Sequence, residues 1–210
     1  MINTNQATPT VHIVDDDQSI RRAMGILMRS VDLPCRQFSS ANALLDDYSA
    51  DWHGCLVLDI RMPGTNGLEL REKLAKLGNT MPVIFITGYG DIPMAVQAMQ
   101  DGAFDFLEKP FRDQDLLDRI TAAMQADESA RLCRKAAGEV ADRLGRLTPR
   151  EREVFELVVE GKANKLIAHE LGVSQRTVEI HRARVMEKMQ ARSLAALVRM
   201  HLASNGLQSQ

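Results

Sequence analysis

Short apolar runs alternate with amphipathic stretches across the first 126 residues of the chain. Five runs have the length and composition of β-strands, and they lie at 10–14, 35–38, 55–59, 83–87 and 104–107. The third and fourth are continuously apolar, as expected of strands buried on both faces of a sheet. The stretches between the runs place apolar residues at helical spacing. This alternation predicts an α/β domain over residues 1–126, built on a five-stranded, doubly wound parallel sheet.

The pattern changes after residue 126. From 126 to 145 the apolar stripe thins to Leu132, Val140 and Leu144 among alanine and charged residues, and the segment contains no proline. Such a composition favours a solvated helix over an irregular loop. We therefore predict a helical linker over residues 127–146.

A second unit, residues 147–210, is predicted to be an all-α domain of four helices. Its first helix begins at Thr148, which is followed by a proline and, three residues on, by Glu151. A threonine that caps the helix and a glutamate that returns to the cap form the pattern of a capping box, and proline suits the first helical turn. This pattern marks the start of a new folding unit.

Three further helices are predicted in this unit, over 165–171, 174–189 and 193–203. Ala168, Gly172 and Val178 lie at spacings of four and six residues. A helix-turn-helix needs a small residue where its helices cross, a glycine at the turn and an apolar anchor on the second helix. The spacing therefore predicts a helix-turn-helix.

The composition is that of a soluble globular protein, with 45% hydrophobic and 26% charged residues. Cys35, Cys55 and Cys133 are far apart and form no CxxC pair, which argues against a disulfide framework and a zinc site. The sequence shows neither an export signal nor a membrane span. We expect a cytoplasmic protein that does not associate with membranes.

Charge is distributed unevenly between the two predicted domains. Residues 1–126 hold 11 Lys and Arg against 17 Asp and Glu, whereas residues 147–203 hold 10 against 7. An acidic front half suits a cation site, and a basic rear half suits a polyanion such as DNA.

Carboxylates follow two of the predicted strands. Asp15 and Asp16 come directly after the first strand, and Asp59 closes the third. In a doubly wound sheet these strand ends flank the crevice where ligands bind. Carboxylates held close together repel one another unless a cation lies among them, and hard oxygen ligands suit Mg²⁺. We predict a Mg²⁺ site, which Mn²⁺ would also fit.

A carboxylate beside such an ion can act as a nucleophile towards a phosphoryl group, and Asp59 is the predicted nucleophile. Thr87 ends the fourth strand and can donate a hydrogen bond to a phosphoryl oxygen, while Lys109 follows the fifth strand and supplies a positive charge. Each residue also has a simpler interpretation. The aspartates could cap a helix, Asp59 and Thr87 could begin turns, and the lysine could be solvated. Their joint arrangement, each after its own strand, favours the functional interpretation.

The helix after Ser174 is the predicted DNA-reading element. Its apolar positions face inward, and its opposite face is expected to enter the major groove. Lysine and arginine on the flanks would contact phosphates, although a basic helix face is often simply solvated. The predicted DNA-contacting residues are Lys165, Arg176, Thr177, Glu179, Ile180, Arg182, Ala183, Arg184 and Lys188.

The N-terminal motifs resemble the signature of receiver domains of two-component response regulators. The segments that carry the resemblance are VHIVDDD at 11–17, LVLDIRMPG at 56–64, ITG at 86–88 and FLEKPF at 106–111. Together they span most of residues 10–126. The resemblance implies a flavodoxin-like fold and a partner histidine kinase that transfers phosphate to the aspartate of the second motif.

The resemblance also implies roles for individual residues. Asp16, Asp59 and the backbone carbonyl of Arg61 would hold Mg²⁺, with help from Asp15, and Lys109 would precede a cis proline. Thr87 and Phe106 would form a switch in which the threonine moves towards the phosphate and the ring turns inward. Receivers often carry tyrosine at the second switch position, so this chain lacks that hydroxyl.

The C-terminal motifs resemble the LuxR-type DNA-binding domain across essentially all of residues 147–203. They are LTPREREV at 147–154, NKLIA at 164–168 and TVEIHRA at 177–183. Joined to a receiver, they resemble the FixJ branch of the NarL/LuxR response regulators. This implies a regulator rather than an enzyme, with promoter DNA and RNA polymerase as partners and a homodimer formed on phosphorylation.

Two other interpretations predict different behaviour. A phosphorylation-gated interaction module would bind proteins through its second domain, so its binding would lack the steep salt dependence of DNA binding. A phosphatase-type enzyme would turn over an aspartyl phosphate, but that interpretation leaves residues 147–203 without a role.

Overall fold

A computed structural model describes residues 8–88 and 92–205 of the chain. The chain forms two compact units, Met1–Ala130 and Arg131–Gln210. The predicted domain boundaries at 126 and 146 remain predictions, since the division of the chain into units does not decide where a linker begins or ends.

The first unit contains a parallel sheet with the strand order β2-β1-β3-β4-β5. Its strands are β1 (Thr10–Val14), β2 (Cys35–Phe38), β3 (Gly54–Asp59), β4 (Val83–Thr87) and β5 (Asp105–Glu108). Three of them have the predicted bounds, β3 begins one residue earlier, and β5 lies one residue further along the chain. The five-stranded doubly wound fold is confirmed.

Helices α1–α4 and the N-terminal part of α5 pack on the two faces of this sheet. They are α1 (Gln18–Ser30), α2 (Ala41–Asp47), α3 (Gly67–Lys76), α4 (Ile92–Gln100) and α5 (Asp113–Gly145). Alternate residues of β3 point to opposite faces, so Leu56 and Leu58 join one buried core while Cys55 and Val57 join the other. This explains why the strand reads as a continuous apolar run.

Helix α5 is a single helix of 33 residues. It contains the amphipathic segment predicted after the fifth strand and residues 127–145 of the predicted helical linker, and Arg146 lies in the turn that follows. No proline interrupts it, and Gly138 within it has open space at the position that a Cβ atom would occupy.

The C-terminal helices are α6 (Pro149–Val159), α7 (Asn164–Leu171), α8 (Gln175–Lys188) and α9 (Leu194–Asn205). The capping box predicted at the start of α6 is present, with both of its hydrogen bonds between Thr148 and Glu151. Gly172 ends α7 with φ 63°, the left-handed conformation that the predicted turn requires. Ala168 and Val178 are buried in the core of this unit, so the helix-turn-helix prediction is confirmed.

Asp91, which precedes α4 in the chain, lies outside the described residues. From Ile92 onwards the helix is described as α4. Within the described segments, no helix has the length and hydrophobicity to cross a membrane.

Candidate functional site

The carboxyl ends of the central strands bring the predicted pocket residues together. Asp15 follows β1, Asp59 is the last residue of β3 and Thr87 the last of β4, while Lys109 follows β5. Because β1, β3, β4 and β5 are parallel neighbours, these residues lie along one edge of the sheet. Four segments far apart in sequence thus contribute to a single pocket.

Lys109 joins two carboxylates in this pocket. Its Nζ lies 2.8 Å from Asp15 Oδ2 and 2.8 Å from Asp59 Oδ2. The Asp15 side chain is essentially buried, and that of Asp59 is 10% exposed. Two buried anions this close repel each other, so the ammonium group stabilises an arrangement that would otherwise be costly.

Backbone groups fix the second oxygen of each carboxylate. The amide N–H of Asp17 donates to Asp15 Oδ1 at 2.8 Å, and the amide N–H of Arg61 donates to Asp59 Oδ1 at 3.1 Å. Arg21 Nη1 also donates to the carbonyl oxygen of Asp15 at 2.7 Å. Sequence reasoning missed Arg21, whose position on α1 carries no motif of its own.

The pocket shifts the pKa values of two of its groups. Burial raises the pKa of the Asp15 carboxyl above its usual value, and the hydrogen bond from Lys109 opposes part of that rise. Burial by itself would lower the pKa of Lys109, but hydrogen bonds to Asp15 and Asp59 outweigh this effect and raise it. The ammonium group therefore stays charged at neutral pH.

The donor set fits a hard divalent cation. Asp15, Asp16 and Asp59 each offer a carboxylate oxygen, and these atoms lie within 4.8 Å of one another. Asp16 is exposed while the other two are buried, so the group of oxygens opens to solvent on one side. Mg²⁺ prefers carboxylate ligands together with several waters, and an open side accommodates those waters.

Thr87 and Phe106 lie on neighbouring strands. Thr87 is fully buried, and its Oγ1 donates a long hydrogen bond of 3.3 Å to the carbonyl oxygen of Gly88. Phe106 is half-buried and pairs in register with Phe85 on β4, two residues before Thr87. Because alternate strand residues share a face, Thr87 and Phe85 point to the same side of the sheet. The peptide bond between Lys109 and Pro110 is cis, as the resemblance implies.

Helix α8 separates its buried and exposed faces as predicted. Ser174 caps the helix through a hydrogen bond of 3.1 Å from the amide N–H of Thr177 to its Oγ. Val178, Val185 and Met189 are fully buried. The opposite face exposes Arg176, Glu179, Ile180 and Ala183 to solvent.

The predicted phosphate-contacting cations have different surroundings. Lys165 and Arg184 are exposed. Arg182 Nη1 donates to Asn164 Oδ1 at 3.0 Å, so α8 is tied to the start of α7. Lys188 Nζ lies 2.6 Å from Glu151 Oε2 on α6, which gives this lysine a role inside the domain. Its contact with DNA stays a prediction.

Two protein-family models match the chain. The response regulator receiver domain matches residues 11–121, and the luxR family of bacterial regulatory proteins matches residues 145–201. Together the two matched segments cover well over half of the chain.

Curated relatives resemble both domains together. The chain is 48% identical to Nodulation protein W of Bradyrhizobium diazoefficiens, over 90% of this chain and 84% of the relative. It is 47% identical to the transcriptional regulatory protein FixJ of Azorhizobium caulinodans, over 91% of each.

Solved structures resemble the chain as well. The response regulator StyR is 44% identical, with a TM-score of 0.83 over 92% of this chain and 98% of that one. Full-length FixJ from B. japonicum is 40% identical, with a TM-score of 0.59 over 95% of this chain and 98% of that one. The receiver pocket, the helix-turn-helix and these relatives lead to one conclusion: the chain belongs to the FixJ-type two-component response regulators, which are DNA-binding transcriptional regulators.

Proposed function

We propose that Asp59 accepts a phosphoryl group from a sensor histidine kinase, and that this modification promotes dimerisation and promoter binding. The observation that carries the proposal is the position of Lys109 Nζ, at 2.8 Å from both Asp15 and Asp59. A cation between a candidate nucleophile and a neighbouring carboxylate is the charge arrangement that phosphoryl transfer needs.

In the transfer step, a carboxylate oxygen of Asp59 forms a bond to phosphorus. The bond between phosphorus and the imidazole nitrogen of the kinase histidine breaks, and the imidazole keeps the electron pair. The amide N–H of Arg61 holds the carboxylate in place through Asp59 Oδ1. The ammonium group of Lys109 then donates a hydrogen bond to a negatively charged phosphoryl oxygen. Asp59 is thus an acceptor within a signalling pathway and not a catalyst for outside substrates.

Asp15, Asp16 and Asp59 are the proposed Mg²⁺ or Mn²⁺ ligands, together with the carbonyl oxygen of Arg61. The three carboxylates fit because their oxygens lie close together and open to solvent. The ion would neutralise charge on the transferred phosphoryl oxygens.

Thr87 and Phe106 are the proposed switch residues. The existing hydrogen bond of Thr87 Oγ1 is long, so exchanging it for a charged phosphoryl oxygen is favourable. Movement of the threonine would leave space for the neighbouring ring of Phe106, which is only half-buried.

The proposed dimer surface is formed by α4 and β5. Helix α4 exposes Val96 and Met99, and β5 is an edge strand of the sheet. Apolar side chains on an exposed helix favour an interaction surface. Two paired receivers would place two C-terminal domains on adjacent half-sites of promoter DNA, which raises their effective concentration. RNA polymerase in the bacterial cytoplasm is the proposed partner of the bound dimer.

The output is promoter binding rather than docking to another protein. The match to the luxR family and the relatives described as transcriptional regulators support this choice. The exposed face of α8 carries residues suited to a groove, and Lys165 and Arg184 beside it are exposed cations suited to phosphates.

The test begins with acetyl phosphate and Mg²⁺ added to the full-length protein. Mass spectrometry should find one labile phosphoryl adduct on Asp59, and sedimentation should show a dimer formed in parallel. Asp59→Asn should form neither the adduct nor the dimer. Asp46→Asn, which changes an exposed acid of the same unit, should form both. Labelling at another residue, or dimerisation of Asp59→Asn as complete as that of the phosphorylated wild type, would overturn the proposal.

A further inference from the structure

Gly67 is the first residue of α3, and it lies directly against the end of β3. Its amide N–H donates to the carbonyl oxygen of Ile60 at 3.0 Å. Asn66 caps the helix by accepting a hydrogen bond from the amide N–H of Glu69 at 2.9 Å. The first turn of α3 is therefore fixed to the residue that follows Asp59.

The backbone of Gly67 does not need a glycine. Six glycines of the described chain have positive φ, and Gly67 is not among them. Any residue tolerates the conformation found here, so the absence of a side chain must be explained by space rather than by dihedral angles.

The space beside Gly67 is filled by the backbone of the candidate phosphoacceptor. A Cβ atom added to Gly67 would lie 3.1 Å from the carbonyl carbon of Asp59 and 3.2 Å from Ile60 Cα. It would approach the carbonyl oxygen of Asp59 more closely still, well inside the 3.0 Å limit that real Cβ atoms essentially never cross. These are backbone atoms and cannot rotate away.

Backbone hydrogen bonds hold the end of β3 in place, so it cannot move easily away from a Cβ atom added at Gly67. Ile60 donates its amide N–H to the carbonyl oxygen of Ile86 at 2.9 Å, and Asp59 pairs with Ile86 in the sheet. The same short segment holds the Arg61 amide N–H on the Asp59 carboxylate. A shift of the Asp59 peptide would therefore move the nucleophile relative to Asp15 and Lys109.

We infer that Gly67 is a positioning residue for phosphoryl transfer. By leaving room for the first turn of α3 against the Asp59–Ile60 peptide, it sets the position of the Asp59 carboxylate and the Arg61 carbonyl oxygen. The inference rests on the proposed function of Asp59. Displacements of about 1 Å in a reacting group can slow a reaction about 100-fold.

Gly25 offers a matched control within the same domain. It is a buried glycine inside α1. The three heavy atoms nearest to a Cβ atom there all belong to the side-chain amide of Gln37, which can swing aside. Gly67→Ala and Gly25→Ala therefore insert the same atom, but only the first change presses on the segment that carries Asp59.

Three measurements on the full-length protein test the inference. Without metal, amide chemical shifts of Ile60 and Arg61 should change in Gly67→Ala and stay in place in Gly25→Ala. Mn²⁺ affinity, followed by electron paramagnetic resonance, should fall about tenfold or more in Gly67→Ala, as expected when support around metal ligands is disturbed. The rate of phosphorylation by acetyl phosphate should fall about 100-fold. The Mn²⁺ affinity and the phosphorylation rate of Gly25→Ala should both remain within about twofold of wild type, since the flexible side chain of Gln37 can move away from the added atom.

A general loss of stability must be distinguished from a displacement of the segment that carries Asp59. Leu74→Ala provides the comparison, because Leu74 is a fully buried residue of α3 far from its first turn. If folded Gly67→Ala binds Mn²⁺ and reacts as well as folded Leu74→Ala, the inference is wrong.

If Gly67→Ala does not fold, Asn66→Ala takes its place in the test. This second variant removes the cap and releases the same turn without adding an atom, so it should also disturb the Ile60 and Arg61 amides and slow phosphorylation. Unchanged shifts and an unchanged rate would overturn the inference. If the wild type itself takes no phosphate at Asp59, the proposed function fails, while the metal-free shifts and Mn²⁺ affinities still decide whether Gly67 positions this segment.

Discussion

Glu151 Oε2 lies 2.6 Å from Lys188 Nζ, and this ion pair joins the start of α6 to the end of α8. The glutamate side chain is only 3% exposed, and its other contact is the amide N–H of Thr148 at 2.8 Å. Lys188 also donates to the carbonyl oxygen of Arg146. The hydrogen bond from Lys188 is the main cause that lowers the pKa of Glu151 to about 2. The candidate recognition helix is therefore anchored by a buried carboxylate.

Lys188→Met is expected to destabilise the C-terminal domain by about 2 kcal/mol. Removing one partner leaves a buried carboxylate without its countercharge, although the lysine is partly solvated and its contribution is reduced accordingly. Hydrogen exchange should show about 30-fold lower protection in α6 and α8. Lys165→Met, which changes an exposed lysine of the same domain, should leave protection unchanged. Equal protection in the two variants would contradict a structural role for Lys188.

The stability of the receiver domain should fall as the pH drops from about 6.5 to about 4. His12 is 2% exposed and stacks on Trp52, with ring centroids 4.2 Å apart. Burial, followed by the charge of Arg36, lowers the pKa of His12 from 6.5 to about 4. Asp47 opposes this shift and His53 adds to it.

The sign of this effect follows from proton binding. Between these two pH values the unfolded chain binds a proton at His12 and the folded chain does not, so acid favours unfolding. Well above pH 6.5, His12 is neutral in both the folded and the unfolded chain, so its full contribution to stability is present. Urea unfolding should lose about 2 kcal/mol between about pH 7 and about pH 5. The fluorescence of Trp52, the one tryptophan of the chain, reports the transition. His12→Phe keeps a ring in the stack and should remove this part of the pH dependence, and a profile as steep as that of the wild type would rule the explanation out.

The proposed phosphate contacts of α7 and α8 and the proposed base contacts of α8 should respond differently to salt. Lys165→Ala and Arg184→Ala each remove an exposed cation, so each should weaken binding to all DNA sequences and reduce the slope of log affinity against log salt by about 1. Ile180, which is 44% exposed, carries no charge, so Ile180→Ala should change base preference without changing the slope. Fluorescence anisotropy on specific and scrambled sites measures both quantities.

Lys76→Ala provides the control for this series, since it removes an exposed cation from the receiver domain. It should alter neither the slope nor the base preference. If all four variants shared one slope, α8 and its flanks would not be the phosphate-contacting surface.

Local patterns in the sequence predicted most of the elements. The apolar runs located the ends of β1, β3 and β4 at the pocket, and the pattern from Thr148 to Glu151 located a helix start. The position of β5 was one residue in error, because apolarity begins at Phe104 whereas pairing with β4 begins at Asp105. At a sheet edge, a polar residue can take part in a strand because one side is solvated.

Contacts between distant segments could not be predicted in the same way. The amide N–H of Gly54 donates to Asp127 Oδ2 across 73 positions, and Lys188 reaches Glu151 across 37. Periodicity reports which face of a helix is buried, but the angle and height at which helices dock depend on packing of the whole core. The sequence around each of these residues therefore does not identify its partner.

Gly172→Ala is expected to destabilise the C-terminal domain by about 1 kcal/mol and to weaken DNA binding. Gly172 has φ 63°, a conformation costly for residues with a Cβ, while no heavy atom lies within 4 Å of the site that a Cβ would occupy. The cost should therefore come from the backbone alone, and Gly172→Asn should lose less stability because asparagine tolerates this conformation better.

Gly78→Ala is the matched control, because Gly78 also has positive φ and open space but lies in the receiver domain. Denaturation and anisotropy should show a loss of stability in both alanine variants, with weaker DNA binding only in Gly172→Ala. If Gly172→Asn lost as much stability as Gly172→Ala, steric crowding rather than backbone conformation would explain why a glycine stands between α7 and α8.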